Sequence, residues 1–189
     1  LLVLALVAPS AIAVQPDVPT DMGVPAYAYT AALATEARVA GTAAEDCAAD
    51  KVADWFAEAG YDIEVQPFRW GEAKAYDSQN VIAYKPAERG RASSARPLVI
   101  VGAHYDCVGA AKGADDNASG VGVMLEVAER LSEVDLPYDV VFIAFGAEEV
   151  GLEGSKYYVR TMSSADKDRA IAMINFDSLI VGDYRYIHA

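Results

Sequence analysis

Three apolar runs in this chain each end on residues of the kinds that bind metal ions, and this coincidence constrains the fold more than any other feature. Pro97–Ala103 leads into His104, and Ala170–Phe176 leads into Asp177. Asp139–Phe145 is followed by Gly146 and Ala147 and then by the pair Glu148-Glu149. Short continuous apolar runs are the mark of strands buried on both faces, as in parallel sheets covered by helices. Between the first two runs, Asn117 to Leu131 places Val121, Met124, Leu125, Ala128 and Leu131 on one helical face. A shorter helix is expected around Ser155 to Arg160. Strands alternating with helices predict an α/β fold with a largely parallel central sheet. In such sheets ligands bind beyond the carboxyl ends of the strands, and here three strands deliver metal-type side chains to that end.

Upstream, the Ala-rich stretch from Asp21 to Ala40 reads as a helix ended by Gly41. Thr42 followed by Glu45 has the spacing of a capping box. It opens a helix to Ala59 with Val52, Trp55, Phe56 and Ala59 on one face. Tyr61–Phe68 and Gln79–Tyr84 are predicted strands, and Glu88–Arg96 a surface loop. No internal repeat is visible, and 189 residues suit one domain.

The net charge of −13 argues against nucleic acid and anionic membranes as partners. Leu1–Ala13 carries no charge, is too short to span a bilayer, and ends on the small-x-small pattern Ala11-Ile12-Ala13. It is expected to be the remnant of a signal peptide cleaved after Ala13, with residues 14–189 forming the N-terminal and central part of a single domain, and the protein is expected to be secreted. The two cysteines, Cys47 and Cys107, leave a disulfide open.

His104, Asp116, Glu149 and Asp177 are the candidate metal ligands, with Asp106, Asp115 and Glu148 close by. One imidazole with several carboxylates suits zinc, manganese or cobalt. Without a cation so many carboxylates at one sheet edge would repel one another, and two divalent ions balance them better than one. Asp116 lies at the mouth of the Asn117 helix within Gly113–Gly120, where a carboxylate can bridge two ions. Taken alone, that stretch also fits an ordinary turn and helix cap. Asn117-Ala118-Ser119 matches a glycosylation acceptor, an assignment disfavoured inside such a loop. Consecutive side chains at a strand end point different ways. One of Glu148 and Glu149 can therefore bind metal while the other accepts a proton from the hydrolytic water. Asp106, two residues after His104, is placed to orient the imidazole.

Four motifs now stand in order: His104-Tyr-Asp106, Gly113-Ala-Asp-Asp116-Asn-Ala-Ser-Gly120, Glu148-Glu149-x-Gly151-Leu-x-Gly154-Ser155 and Asn175-Phe-Asp177. Together they resemble the co-catalytic zinc exopeptidases of the secreted bacterial leucyl aminopeptidase type, across roughly Val52 to Asp177. That group also holds glutamate carboxypeptidases and glutaminyl cyclases. The resemblance implies a three-layer α/β/α sandwich around a mixed sheet. It also implies two zinc ions, with His104 and Asp177 on one, Asp116 bridging, Glu149 on the second and Glu148 as general base. Peptides with a free N-terminus are the implied substrates, and a monomer is expected. The last ligand implied for the second zinc is a His well downstream of Asp177. His188 comes too early, so that ligand is expected beyond residue 189, and residues 1–189 alone are expected to be inactive. A same-family carboxypeptidase, a single-zinc glutaminyl cyclase and a catalytically silent binding relative are the alternatives.

Overall fold

The computed structural model describes residues 19–71, 74–85 and 96–182. The Leu1–Ala13 segment, most of the Glu88–Arg96 loop and His188 lie outside the described residues. Helices α1 (Val24–Leu33) and α2 (Ala43–Glu58) precede strands β1 (Asp62–Trp70), β2 (Tyr76–Tyr84) and β3 (Leu98–His104). Helix α3 (Gly120–Leu131) then leads to β4 (Asp139–Phe145), and α4 (Glu153–Thr161) and α5 (Ser164–Arg169) lead to β5 (Ala170–Asn175).

The sheet order is β1-β2-β4-β3-β5. Strands β1, β2 and β4 pair antiparallel, whereas β3 pairs parallel with both β4 and β5. The sheet is therefore mixed, and its parallel half consists of the three apolar runs. Their register aligns His104 with Phe145 and Gly102 with Asn175. All three carboxyl ends thus open on one side.

Period-two alternation divides the strands between two apolar layers. Val81, Ala83, Val101, Ala103, Val140, Phe142 and Ala144 pack with Leu33, Val52, Phe56, Val121, Met124 and Leu125 of α1–α3. Ile82, Leu98, Ile100, Val141, Ile143 and Phe145 pack on the opposite face with Tyr158 of α4. The result is the expected three-layer sandwich.

Helix α1 is shorter than the Asp21–Ala40 expected, because Arg38 is buried (1% exposed) and turned inward. Its Nη1 donates to the carbonyls of Leu33 and Glu36 at 2.9 and 3.4 Å, acceptors that a continuing helix would use itself. The capping box also does not close. Thr42 Oγ1 donates to Val39 O at 2.6 Å, and Glu45 reaches past Thr42 to accept from Gly41 N at 2.6 Å. Cys47 is exposed and Cys107 buried, each a free thiol, so the open question of a disulfide is answered in the negative.

Candidate metal centre

Residue types alone carry His104, Asp177 and the glutamate pair to the ends of β3, β5 and β4. Asp116 arrives differently, on an irregular turn ahead of α3. Gly113 enters that turn with φ of 55°, and Asp116 and Asn117 depart from helical geometry across a cis peptide bond. Only glycine fits at 113: a Cβ there would lie 2.4 Å from Cys107 Cβ and 2.8 Å from Arg38 Nη2. The expected helix from Asn117 accordingly begins at Gly120, since the ligand turn occupies its first residues.

These elements bring His104, Asp116 and Asp177 together, each offering a ligand atom within 4.8 Å of the other two. The imidazole is buried, whereas the two aspartates are exposed. His104 Nε2 lies 3.1 Å from Asp116 Oδ1, 3.7 Å from Asp177 Oδ2 and 3.8 Å from Glu148 Oε2. The opposite ring nitrogen, Nδ1, faces Asp106 Oδ1 at 3.5 Å, longer than a well-formed hydrogen bond. One nitrogen thus faces the shared space and the other a buried carboxylate, the usual setting of a ligating histidine.

The electrostatics suit a cation. Burial disfavours the imidazolium, but Asp106, Glu148 and Asp177 outweigh it and lift His104 to about 9. Burial, reinforced by Asp106, Asp177 and Asp116, raises Glu148 above its ordinary value against the pull of His104. Burial and then Asp116 raise Glu149 likewise. Glu149 lies outside the three-residue cluster, yet its Oε1 is buried with no hydrogen-bond partner among the described residues. A buried oxygen without a donor is costly unless something else occupies its lone pairs. An imidazole, two converging carboxylates and this oxygen fit zinc as donors.

Asp106 does more than face the imidazole. Glu148 N donates to its Oδ1 at 3.0 Å and Glu149 N to its Oδ2 at 3.1 Å. The turn carrying the two glutamates then folds back on itself, with Leu152 N donating to Glu148 O and Gly154 N to Gly146 O. Asn80 Nδ2 holds Gly154 O from β2 at 2.9 Å. The glycine at 154 is required by close packing, because a Cβ would sit 2.3 Å from Gly146 O.

Asp115 has a different task from its neighbour. Its Oδ1 accepts from Ile180 N and Val181 N at 2.6 and 3.2 Å, fixing the chain just after Asp177. Asn117 helps, donating from Nδ2 to Phe176 O and accepting from Ser178 N. Asn117 is fully buried, which removes the glycosylation reading. Two supporting residues carry no signal in their local sequence. Arg38 donates to Tyr105 O, Lys112 O and Gly113 O, tying the His104–Asp106 segment to the Asp116 turn. Glu45 binds the turn after β4.

The model of peptidase family M28 matches residues 80–188, more than half of the chain. The chain belongs to peptidase family M28. It is 43% identical over 100 residues to aminopeptidase YwaD of Bacillus subtilis, covering 53% of this chain and 21% of that protein. It is 33% identical over 183 residues to leupeptin-inactivating enzyme 1 of Streptomyces exfoliatus, covering 93% of this chain and 40% of that protein. The chain therefore spans less than half the length of these curated relatives. A solved zinc aminopeptidase from Bacillus subtilis shares the fold of this M28 chain, with a TM-score of 0.76 at 22% identity, over 82% of this chain and 69% of that one. No helix among the described residues is long and apolar enough to cross a membrane.

Proposed function

We propose that this M28 chain is the metal-binding part of a secreted metallo-aminopeptidase that hydrolyses N-terminal peptide bonds with two zinc ions. The observation that carries the reading is the convergence of His104, Asp116 and Asp177 beside an unpartnered buried oxygen of Glu149. His104 and Asp177 would hold the first zinc, with Asp116 available to both ions, and Glu149 would hold the second together with a histidine expected downstream. Zinc bound there would supply Lewis acidity, polarising the scissile carbonyl and making water easier to deprotonate.

The remaining work belongs to the chain. Glu148 Oε2 faces the same space as His104 Nε2 and takes the proton from the attacking water. The raised affinity of Glu148 for protons favours that transfer, and the same carboxyl returns the proton to the departing amine. Asp106 holds both glutamates by their backbone, so that one could serve a bound ion and the other the water.

The test uses the protein extended through a downstream histidine and loaded with zinc. It should release nitroaniline from aminoacyl-nitroanilides, lose that activity to a chelator and regain it with zinc. A zinc-loaded protein that cleaves only N-blocked substrates, or cyclises N-terminal glutamine without hydrolysis, overturns the aminopeptidase reading. N-terminal sequencing of protein from the medium should begin at Val14, and an uncleaved cytoplasmic product overturns export.

A further inference from the structure

Glu45 lies in the first turn of α2, is wholly buried, and belongs to none of the ligand motifs. Its side chain joins three separate segments. Oε2 accepts from Gly41 N at 2.6 Å, and Oε1 accepts from Ser78 Oγ of β2 at 2.7 Å and from Ala147 N at 3.0 Å. Ala147 immediately precedes Glu148 and has φ of 52°, a left-handed conformation that a non-glycine residue keeps only where its surroundings hold it. The next two amides, those of Glu148 and Glu149, are held by Asp106. Three consecutive backbone N–H groups are thus each bonded to a fully buried carboxylate.

We propose that Glu45 is a positioning residue for the hydrolytic reaction. By holding the Ala147 amide it fixes the direction in which the chain leaves β4, and thereby which way Glu148 and Glu149 point. Asp106 fixes the two peptide planes of the pair, and Glu45 fixes the plane from which they start. A rotation at Ala147 would strain both Asp106 bonds and carry the two carboxylates away from the His104–Asp116–Asp177 cluster. Ser78 steadies Glu45 in turn. The space is closed: a Cβ on Gly146 would lie 2.4 Å from Ser78 Oγ. The inference rests on the proposed function, since it needs Glu148 and Glu149 to have distinct tasks.

The test compares Glu45→Gln, Glu45→Leu and a remote control in the zinc-loaded extended protein. Glutamine can keep the Oε1 acceptor for Ala147 N and Ser78 Oγ while giving up the bond from Gly41. Leucine keeps much of the volume and removes every acceptor. Tyr61→Phe is the control, because it deletes a buried bond to Ala128 O at 2.8 Å without touching the turn. Hydrogen exchange at the amides of residues 147–149 is measured together with kcat and KM. Glu45→Leu should accelerate exchange at these amides and lower kcat roughly ten- to hundredfold, with a much smaller change in KM. Glu45→Gln should stay near the parent in both readouts, and Tyr61→Phe should move neither. A folded Glu45→Leu protein with parental exchange and kcat overturns the proposal, as does an equal loss of kcat in the control. Should Glu45→Leu fail to fold, Ser78→Ala serves instead, and parental exchange and kcat in that variant overturn it equally. If the parent itself proves inactive on aminoacyl substrates, the function falls, while the exchange data still decide whether Glu45 holds the turn.

Discussion

Asp106 Oδ1 accepts the backbone N–H of Glu148 at 3.0 Å while facing His104 Nδ1 at 3.5 Å. One buried carboxylate therefore links the orientation of the proposed ligand His104 to the position of the proposed base. Asp106→Asn is nearly isosteric, but its amide must present a donor either to Glu148 N or to Glu149 N. It is expected to lower turnover or zinc affinity roughly ten- to hundredfold, the usual loss for a group that orients a ligand. Kinetics and zinc titration of that variant check this, and near-parental values in both contradict it.

Glu45 also makes a pH prediction. Burial raises its carboxyl to about 7 from an ordinary 4.5, despite the hydrogen bonds it accepts. The folded chain then holds a proton that the unfolded chain releases. This contribution to stability is fully present below 4.5 and is lost as pH rises through about 7. Glu45→Gln cannot ionise. Its stability deficit against the parent should shrink by on the order of 3 kcal/mol between those two pH values. Denaturation of both metal-free proteins across that range measures the difference, in which other titrating groups largely cancel. A deficit that widens with pH contradicts the sign.

Zinc binding should be unequal within the 189 residues. On the proposed assignment the first position would draw on His104, Asp116 and Asp177, which lie together. Among the described residues the second would draw on Glu149 and the shared Asp116, one short of the three protein ligands usual for catalytic zinc. Titration monitored by a competing chelator should find one tight ion and a second, clearly weaker one. Two ions of equal affinity would show that a further group within the 189 residues completes the second position.

Among the described residues β5 is an edge strand, with Ile171 (64% exposed), Met173 and Ile174 open to solvent. Exposed apolar side chains beside unpaired strand backbone favour association between chains. The 189-residue chain is expected to self-associate, and Ile171→Lys to shift it toward the monomer in light scattering. A monodisperse parent would contradict this.

The strand-end candidates on β3 and β4 were legible in the sequence because the residues that bury those strands also set where they stop. Strand β5 takes its expected place beside β3, but its apolar residues are exposed rather than buried on both faces. Asp116 was legible through its glycine-flanked turn. Arg38 and Glu45 were not, because each looks local in sequence and acts at long range. Arg38 sits in an Ala-rich run that reads as helix until its guanidinium is seen to take the backbone carbonyls. Glu45 has the spacing of a helix cap, and only the packing of α2 against β2 and the turn after β4 gives its carboxylate other donors. Asp106 was expected to orient the imidazole. Its hold on the glutamate amides depends on the parallel register of β3 and β4, which composition does not specify.

The division of labour between the adjacent glutamates is the central claim, and Glu148→Gln measured beside Glu149→Gln tests it most directly. In the extended protein, zinc content and turnover are determined for each variant. Glu148→Gln should keep its zinc and lose roughly two to four orders of magnitude in turnover, the usual worth of a general base. Glu149→Gln should lose zinc occupancy. A Glu148→Gln protein that loses its zinc, yet turns over normally per bound ion, would contradict the assignment and exchange the two roles.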